Sequence, residues 1–179
     1  MEEGLAMRRA LADPSIHAIL TGRSKRLLLA DHLLHLRCEI CEPEIVKMVA
    51  PHLDRPEVLL VSLMDHTPGQ RQLDDKAFRD YYAKLGMQHD KYLDAVKGYQ
   101  EKQAQFAEKN RAAIVQRCRD LRVALASHDD AIEEHVRQAS SEGVRISEFP
   151  TTLQAARCAQ ELGIDVVMGA PNLVNGNSS

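Results

Sequence analysis

The fold is decided by residues 122–168, which read RVALASHDDAIEEHVRQASSEGVRISEFPTTLQAARCAQELGIDVVM. This stretch repeats one order twice: an apolar strand, a polar turn, an amphipathic helix and a glycine. Gly143 and Gly163 are placed to end the two helices, because glycine adopts the left-handed conformation that closes a helix without steric cost. We interpret Thr151-x-x-Gln154 as a capping box that starts the second helix. The order is typical of βα units and predicts an α/β fold.

Five short apolar runs along the chain have the length of strands in such a sheet. They are Leu34–Ile40, Glu57–Met64, Arg122–Ser127, Val144–Phe149 and Ile164–Met168. The first run alternates, so that His35, Arg37 and Glu39 share one face and the apolar residues share the other. The second is nearly all apolar, as expected of a strand that is buried on both faces. Together the runs predict a mainly parallel sheet.

Residues 70–120 interrupt this rhythm with a stretch rich in Lys, Asp, Gln and Tyr. Apolar residues recur there at steps of three and four, a spacing that predicts two or three amphipathic helices inserted between the second and third strands. These apolar residues include Tyr92, Val96, Tyr99 and Phe106. The charges are mixed in sign, which favours helices that cover the sheet or lie at a subunit interface over a membrane-bound or calmodulin-binding helix.

The composition is that of one soluble globular domain, which we expect to span residues 1–179, with 44% hydrophobic and 27% charged residues. The net charge of −3 gives no basic surface for nucleic acid. The longest apolar runs, such as Val58–Met64, are too short to span a bilayer, and Met1–Gly4 lack the features of a signal peptide. We therefore expect a cytoplasmic protein without a nucleic-acid or membrane partner.

Two of the four cysteines, Cys38 and Cys41, have the Cys-x-x-Cys spacing of zinc and redox motifs. No second Cys or His pair stands near them in sequence to complete a tetrahedral zinc site. A thioredoxin-like motif would need a helix to begin at this point, which Pro43 permits. We favour the simpler interpretation, in which the cysteines are reduced and buried in the core.

Acidic and histidine residues follow three successive strands: Glu39, then Asp65-His66, then His128-Asp129-Asp130. In (β/α) folds the carboxyl ends of the strands are where side chains converge on a ligand. Imidazole and carboxylate groups together suit zinc, manganese or iron. Such an ion lowers the pKa of bound water, and an adjacent Asp can orient a ligand histidine or act as a general base. The sequence thus predicts a divalent-metal site.

Each of these residues also has a purely structural interpretation. A single histidine at a strand end is commonly a hydrogen-bonded loop residue, and we expect Asp130 to be the N-cap of the helix that follows. Arg71 follows the second strand and can bind an anionic substrate in a bidentate manner, or it can be a surface arginine. His35 shares a face with Glu39 but lies deeper, so we prefer Glu39 as a ligand. The occurrence of these residues after three successive strands favours the metal site.

Five segments around these residues resemble one known family, the phosphonate-metabolism amidohydrolases of the carbon–phosphorus lyase pathway. The segments are Ala30–Glu39, Ser62–Gln72, Ala124–Asp130, Ser147–Thr152 and Met168–Asn172. The resemblance runs from about residue 25 to residue 174. It implies a metal-centred TIM barrel that hydrolyses the triphosphate group of a ribose 1-alkylphosphonate 5-triphosphate and releases pyrophosphate. The implied partner is this phosphorylated ribose phosphonate.

The resemblance also assigns roles to individual residues. It implies that Glu39 is a strand-four carboxylate able to bridge two metals, and that His66 and His128 are the metal ligands of strands five and six. Asp129 is implied as a catalytic group that contacts substrate or orients a ligand. Arg37 and Arg71 are the candidate substrate-binding residues. Zinc is the expected metal, with manganese and iron as alternatives.

The sequence also departs from the family pattern. It contains no His-x-His, which amidohydrolases carry on the first barrel strand, and no aspartate of the last strand. A chain of 179 residues is also shorter than the roughly 250 of a complete barrel. We therefore expect a partial TIM barrel, about strands four to seven, truncated at both ends.

Two hypotheses follow from the partial barrel. The first is an incomplete homologue of the hydrolase. The alternative is a non-catalytic remnant that acts as a binding or oligomerisation module. In either case we expect a homo-oligomer or a second chain that completes the barrel, because an open sheet exposes its edges.

Overall fold

A computed structural model of the chain describes residues 2–69, 71, 79 and 89–170. These residues fall into two compact units that divide between Leu34 and His35. The first contains one long helix, α1 (Glu2–Ser24), of 23 residues with Pro14 inside it. This helix was not predicted from the sequence. Among the described residues, no helix combines the length and the apolar character that crossing a membrane requires.

The second unit is built on a five-stranded sheet. Its strands are β1 (Leu34–Glu39), β2 (Val58–Met64), β3 (Ala124–His128), β4 (Ile146–Glu148) and β5 (Asp165–Val167). They lie side by side in chain order, and the pairs β2–β3, β3–β4 and β4–β5 are parallel. Each predicted strand is present, with ends that differ by at most two residues. The structure confirms an α/β fold with a parallel sheet, and this sheet is compatible with part of a TIM barrel.

Helices connect these strands on the course that parallel pairing requires. They are α2 (Ile45–Val49), α3 (His89–Lys102), a π-helical turn (Gln103–Ala107), α4 (Glu108–Leu121), α5 (Glu133–Ser141) and α6 (Leu153–Glu161). Residues 89–121 therefore form one nearly continuous helical stretch between β2 and β3. Residues 70, 72–78 and 80–88 of the predicted insertion lie outside the described residues, so the number of helices in it stays a prediction.

The core lies between the sheet and the helices that follow its strands. Helix α5 packs on β3 and on α6, and α6 packs on β5. Val61, Leu63 and Val136 have almost no exposed surface. Burying each of these side chains stabilises the fold by about 1.5–3 kcal/mol. Helix α4 is fixed by a polar contact, because the buried Asn110 amide donates to the carbonyl oxygens of Ile40 and Glu42, at 2.9 Å each.

Two predicted helix caps were wrong. Thr152, and not Thr151, is the N-cap of α6, and its Oγ1 accepts a hydrogen bond of 3.1 Å from the Ala155 amide. Asp130 is not the N-cap of α5; Ile132 holds that position and makes no side-chain capping bond. Asp130 does not cap the helix because its carboxylate points into the core, where it accepts hydrogen bonds from Arg71, Ser127 and Ser147. The two predicted helix-closing glycines are confirmed, with positive φ angles at Gly143 and Gly163.

Replacing Gly143 tests this backbone requirement. Gly143 has φ +83°, a region that costs an L-residue about 1–2 kcal/mol, so Gly143→Ala should lower the free energy of unfolding by about 1 kcal/mol. The control is Gly98→Ala within α3, where a Cβ meets nothing within 4 Å and φ is not positive. That variant should gain about 0.5–1 kcal/mol. Urea unfolding measures both, and equal changes in the two variants would contradict the assignment.

Candidate metal centre

The predicted ligands meet at the C-terminal ends of the strands, because parallel strands end on the same side of the sheet. Glu39 is the last residue of β1, His66 follows β2, and His128 is the last residue of β3. In the β3–β4 register, His128 lies opposite Glu148, the last residue of β4. The four side chains therefore come from four neighbouring strands, although up to 109 positions separate them in sequence.

The carboxylate of Glu39 holds the His66 side chain in place. Its Oε2 lies 2.5 Å from His66 Nδ1, and its Oε1 accepts the His66 backbone amide at 3.1 Å. This hydrogen bond raises the pKa of His66 above its ordinary value, although burial acts in the opposite direction. The remaining ring nitrogen, Nε2, lies 3.9 Å from Asp129 Oδ2. A carboxylate that fixes one imidazole nitrogen commonly presents the other nitrogen to a metal.

The His128 ring lies between an arginine and an aspartate. Arg37 Nη2 is 2.7 Å from His128 Nε2, and His128 Nδ1 is 3.1 Å from Asp129 Oδ2. A guanidinium has only donors, so the ring accepts this contact through Nε2. The rings of His66 and Phe149 pack edge-on against it, with centroids 5.5 Å and 5.4 Å away.

Asp129 supplies the strongest indication of a cation. It adopts the left-handed conformation with φ 55°, and its amide donates to the Glu148 carbonyl at 2.9 Å. Its side chain is almost fully buried, yet within the described part of the chain Oδ2 makes no well-aligned hydrogen bond, although His128 Nδ1 lies 3.1 Å away. A buried carboxylate oxygen without a well-aligned donor is costly. Ligand atoms of His66, His128 and Asp129 lie within 4.8 Å of one another, so two nitrogens and one oxygen fit a divalent transition metal.

A second group of possible ligands, Glu39, Cys41 and Asp65, is less suited to a metal. Cys41 Sγ donates to Asp65 Oδ1 at 3.1 Å, and Gln103 Nε2 donates to Asp65 Oδ2 at 2.9 Å. Although burial opposes the effect, hydrogen bonds from Thr67, Cys41 and Gln103 keep the pKa of Asp65 below its ordinary value. Burial raises the pKa of the Cys41 thiol, so it is a neutral donor here and not a thiolate ligand.

All four cysteines are buried and none forms a disulfide, as the sequence analysis favoured. Cys38 and Cys41 therefore do not act as a bonded pair. Burial raises the pKa of Cys38 to about 12 and that of Cys118 to about 11.

The two predicted substrate-binding arginines also lie at this edge. Arg37 is exposed on β1 and contacts His128. Arg71 is buried, and its Nη1 donates to the His128 carbonyl and to Asp130 Oδ1, at 2.8 Å each. The roles of both residues in substrate binding stay predictions, as do the ligand role of Glu39 and the catalytic role of Asp129.

A chain of hydrogen bonds that was not predicted from the sequence crosses the sheet. His35 Nε2 contacts Ser62 Oγ, which donates to Glu148 Oε2 at 2.6 Å. Burial lowers the pKa of His35, while the nearby Glu148 carboxylate opposes this shift. One signal was present in the sequence, because Ser62 is the only polar residue in the apolar strand β2.

The comparisons with known proteins agree with the resemblance seen in the motifs. Over 168 residues the chain is 40% identical to the alpha-D-ribose 1-methylphosphonate 5-triphosphate diphosphatase of Escherichia coli (strain K12). The aligned region covers 91% of this chain and 44% of the relative, so the chain spans less than half the length of that enzyme. No protein-family model matches the chain. No solved structure matches it either.

Thiol reactivity tests the cysteine environment. At about pH 8, roughly one in 1,000 or fewer of the Cys38 and Cys118 thiols are ionised, so iodoacetamide should leave both unmodified in the folded protein. Unfolding in guanidinium chloride should make them reactive, which peptide mass spectrometry measures. Rapid labelling of Cys38 without denaturant would contradict its burial.

Proposed function

We propose that this chain is part of a metal-dependent hydrolase that releases pyrophosphate from a ribose 1-alkylphosphonate 5-triphosphate. The observation that carries the proposal is the convergence of His66, His128 and Asp129 at the carboxyl ends of the strands, around a buried carboxylate oxygen that makes no well-aligned hydrogen bond within the described residues. The 40% identity to a diphosphatase of ribose phosphonate metabolism supports the substrate class. The activity belongs to the proposal because the match covers 44% of that enzyme.

The residues of the site divide the work between metal and substrate. His66, His128 and Asp129 would hold the divalent ion, with zinc expected first and manganese or iron as alternatives. Such an ion supplies a Lewis acid and an acidic water molecule near neutral pH. Glu39 orients the His66 ring by accepting from its Nδ1. Arg37, exposed beside this cluster, provides the positive charge that a triphosphate needs.

One observation favours the alternative of a non-catalytic binding or oligomerisation module. The described residues form a five-stranded sheet that does not close on itself. Strands β1 and β5 therefore lie at the edges of the sheet in this part of the chain. Such edges are normally covered in proteins, and we propose a second copy or another chain as the cover.

Metal analysis tests the site directly. The purified chain should bind one divalent ion, and both His66→Ala and His128→Ala should lose it, because each removes an imidazole ligand. His17→Ala, at an exposed histidine of α1, is the matched control and should keep the ion. Isothermal titration with zinc gives the affinity, and elemental analysis gives the stoichiometry.

A pyrophosphate-release assay on ribose and nucleoside triphosphates separates the two functions. Metal binding with release supports the hydrolase, and metal binding without release supports the non-catalytic module. If the chain binds no metal, the hydrolase proposal for this chain is wrong.

The oligomeric state tests the proposal about the sheet edges. We expect a dimer or larger assembly, because pairing covers the unpaired backbone groups of an edge strand. Size-exclusion chromatography with light scattering measures the mass. A soluble monomer that stays monomeric on concentration would contradict the proposed pairing.

A further inference from the structure

The turn after β3 is organised around a buried carboxylate, that of Asp130, which has no exposed surface. Its Oδ1 accepts from Arg71 Nη1 at 2.8 Å. Its Oδ2 accepts from the hydroxyl of Ser147 at 2.9 Å and from that of Ser127. One carboxylate thereby joins the segment that follows β2 to strands β3 and β4. The metal proposal gives this group no role.

The same arginine nitrogen also holds the backbone of a candidate metal ligand. Arg71 Nη1 donates to the His128 carbonyl oxygen at 2.8 Å while it contacts Asp130. Two further backbone bonds fix the turn: the Asp129 amide donates to Glu148 and the Thr151 amide donates to Asp130, at 2.9 Å each. His128 and Asp129 are therefore held from both sides by groups that do not belong to the cluster.

The conformation of Asp129 shows why this support matters. Its φ of 55° lies in the left-handed region, which non-glycine residues keep only when the surrounding structure enforces it. This conformation places Asp129 Oδ2 3.1 Å from His128 Nδ1 and 3.9 Å from His66 Nε2. If the turn relaxed, the carboxylate would leave the space between the two imidazoles.

We propose that Arg71 and Asp130 are positioning residues that hold His128 and Asp129 in the geometry that binds the metal. This inference rests on the proposed metal site. It also gives Arg71 a role that needs no substrate, which separates it from the predicted role in phosphate binding. A substrate-binding arginine changes the Michaelis constant and leaves metal affinity unchanged, whereas a positioning arginine changes metal affinity when no substrate is present.

The chain offers a matched control pair in Arg111 and Glu142. Arg111 is also buried, and its guanidinium contacts Glu142 in a bidentate manner at 2.6–2.9 Å. This pair joins α4 to the end of α5, and no hydrogen bond of the pair reaches His66, His128 or Asp129 within the described residues. Its loss should weaken the fold without disturbing the turn after β3.

The test compares Asp130→Asn with Glu142→Gln in the full chain, using cobalt(II) as the probe. Asp130→Asn should lower cobalt affinity by about 10–100-fold, the usual effect of losing a group that orients a ligand. The visible cobalt spectrum should also change, because the ligand geometry changes. Glu142→Gln should lower the unfolding temperature but keep the affinity and spectrum of the unchanged protein.

Two further variants keep the inference testable if Asp130→Asn does not fold. Ser147→Ala removes one of the three donors to Asp130 and should weaken cobalt binding in the same direction but to a smaller extent. Arg71→Ala should also bind cobalt weakly, and guanidinium ion at non-denaturing concentration should restore part of the affinity. Rescue by guanidinium is not expected if Arg71 serves stability alone.

The outcomes separate this inference from the proposed function. Unchanged cobalt affinity in both Asp130→Asn and Arg71→Ala would overturn the positioning roles while the metal site stands. An equal loss of affinity in Glu142→Gln would overturn them as well, since it would reflect general destabilisation. Absence of cobalt binding by the unchanged protein would overturn the metal site, and this inference with it.

Discussion

Parallel pairing of β2, β3 and β4 is the constraint on which the rest of this structure depends. The C-terminal ends of parallel strands lie on the same side of the sheet, so polar residues that follow separate strands come together there. The register places His128 opposite Glu148, and the shared edge brings Glu39 and His66 to the same place. Helices α5 and α6 return the chain to the side of the sheet where the next strand begins. They also pack against the sheet, and the apolar surface buried in this way stabilises it.

Burial at this edge imposes a second requirement, because charged groups removed from water need partners. The buried Asp130 is paired with Arg71, and the half-buried Glu39 is paired with His66. Asp129 Oδ2 makes no well-aligned hydrogen bond among the described residues and lies 3.1 Å and 3.9 Å from two imidazole nitrogens. A divalent cation would bind Asp129 Oδ2 and the two imidazole nitrogens together. Asp129 therefore supports the proposed metal site more strongly than the carboxylates that already have partners.

Local sequence signals predicted most of the sheet. The five strands and the glycines that end α5 and α6 followed from periodicity and from the steric freedom of glycine. The caps did not follow, because Asp130 has the right residue type for a helix cap but a tertiary partner takes its carboxylate. The contacts from His35 to Ser62 and from Ser62 to Glu148 were missed because they join different strands, and their one local sign was a polar Ser62 within the apolar strand β2. Helix α1 was missed altogether.

The sequence by itself determined the fold class and the end of the sheet at which the polar residues gather. These depend on side-chain periodicity and on the order of elements, which are local properties. Only the tertiary structure decided which partner each side chain contacts. Glu39 contacts His66, Arg37 contacts His128, and Arg71 contacts Asp130 rather than solvent. Such pairings join residues 27, 91 and 59 positions apart, so they exist only after the strands have taken their register.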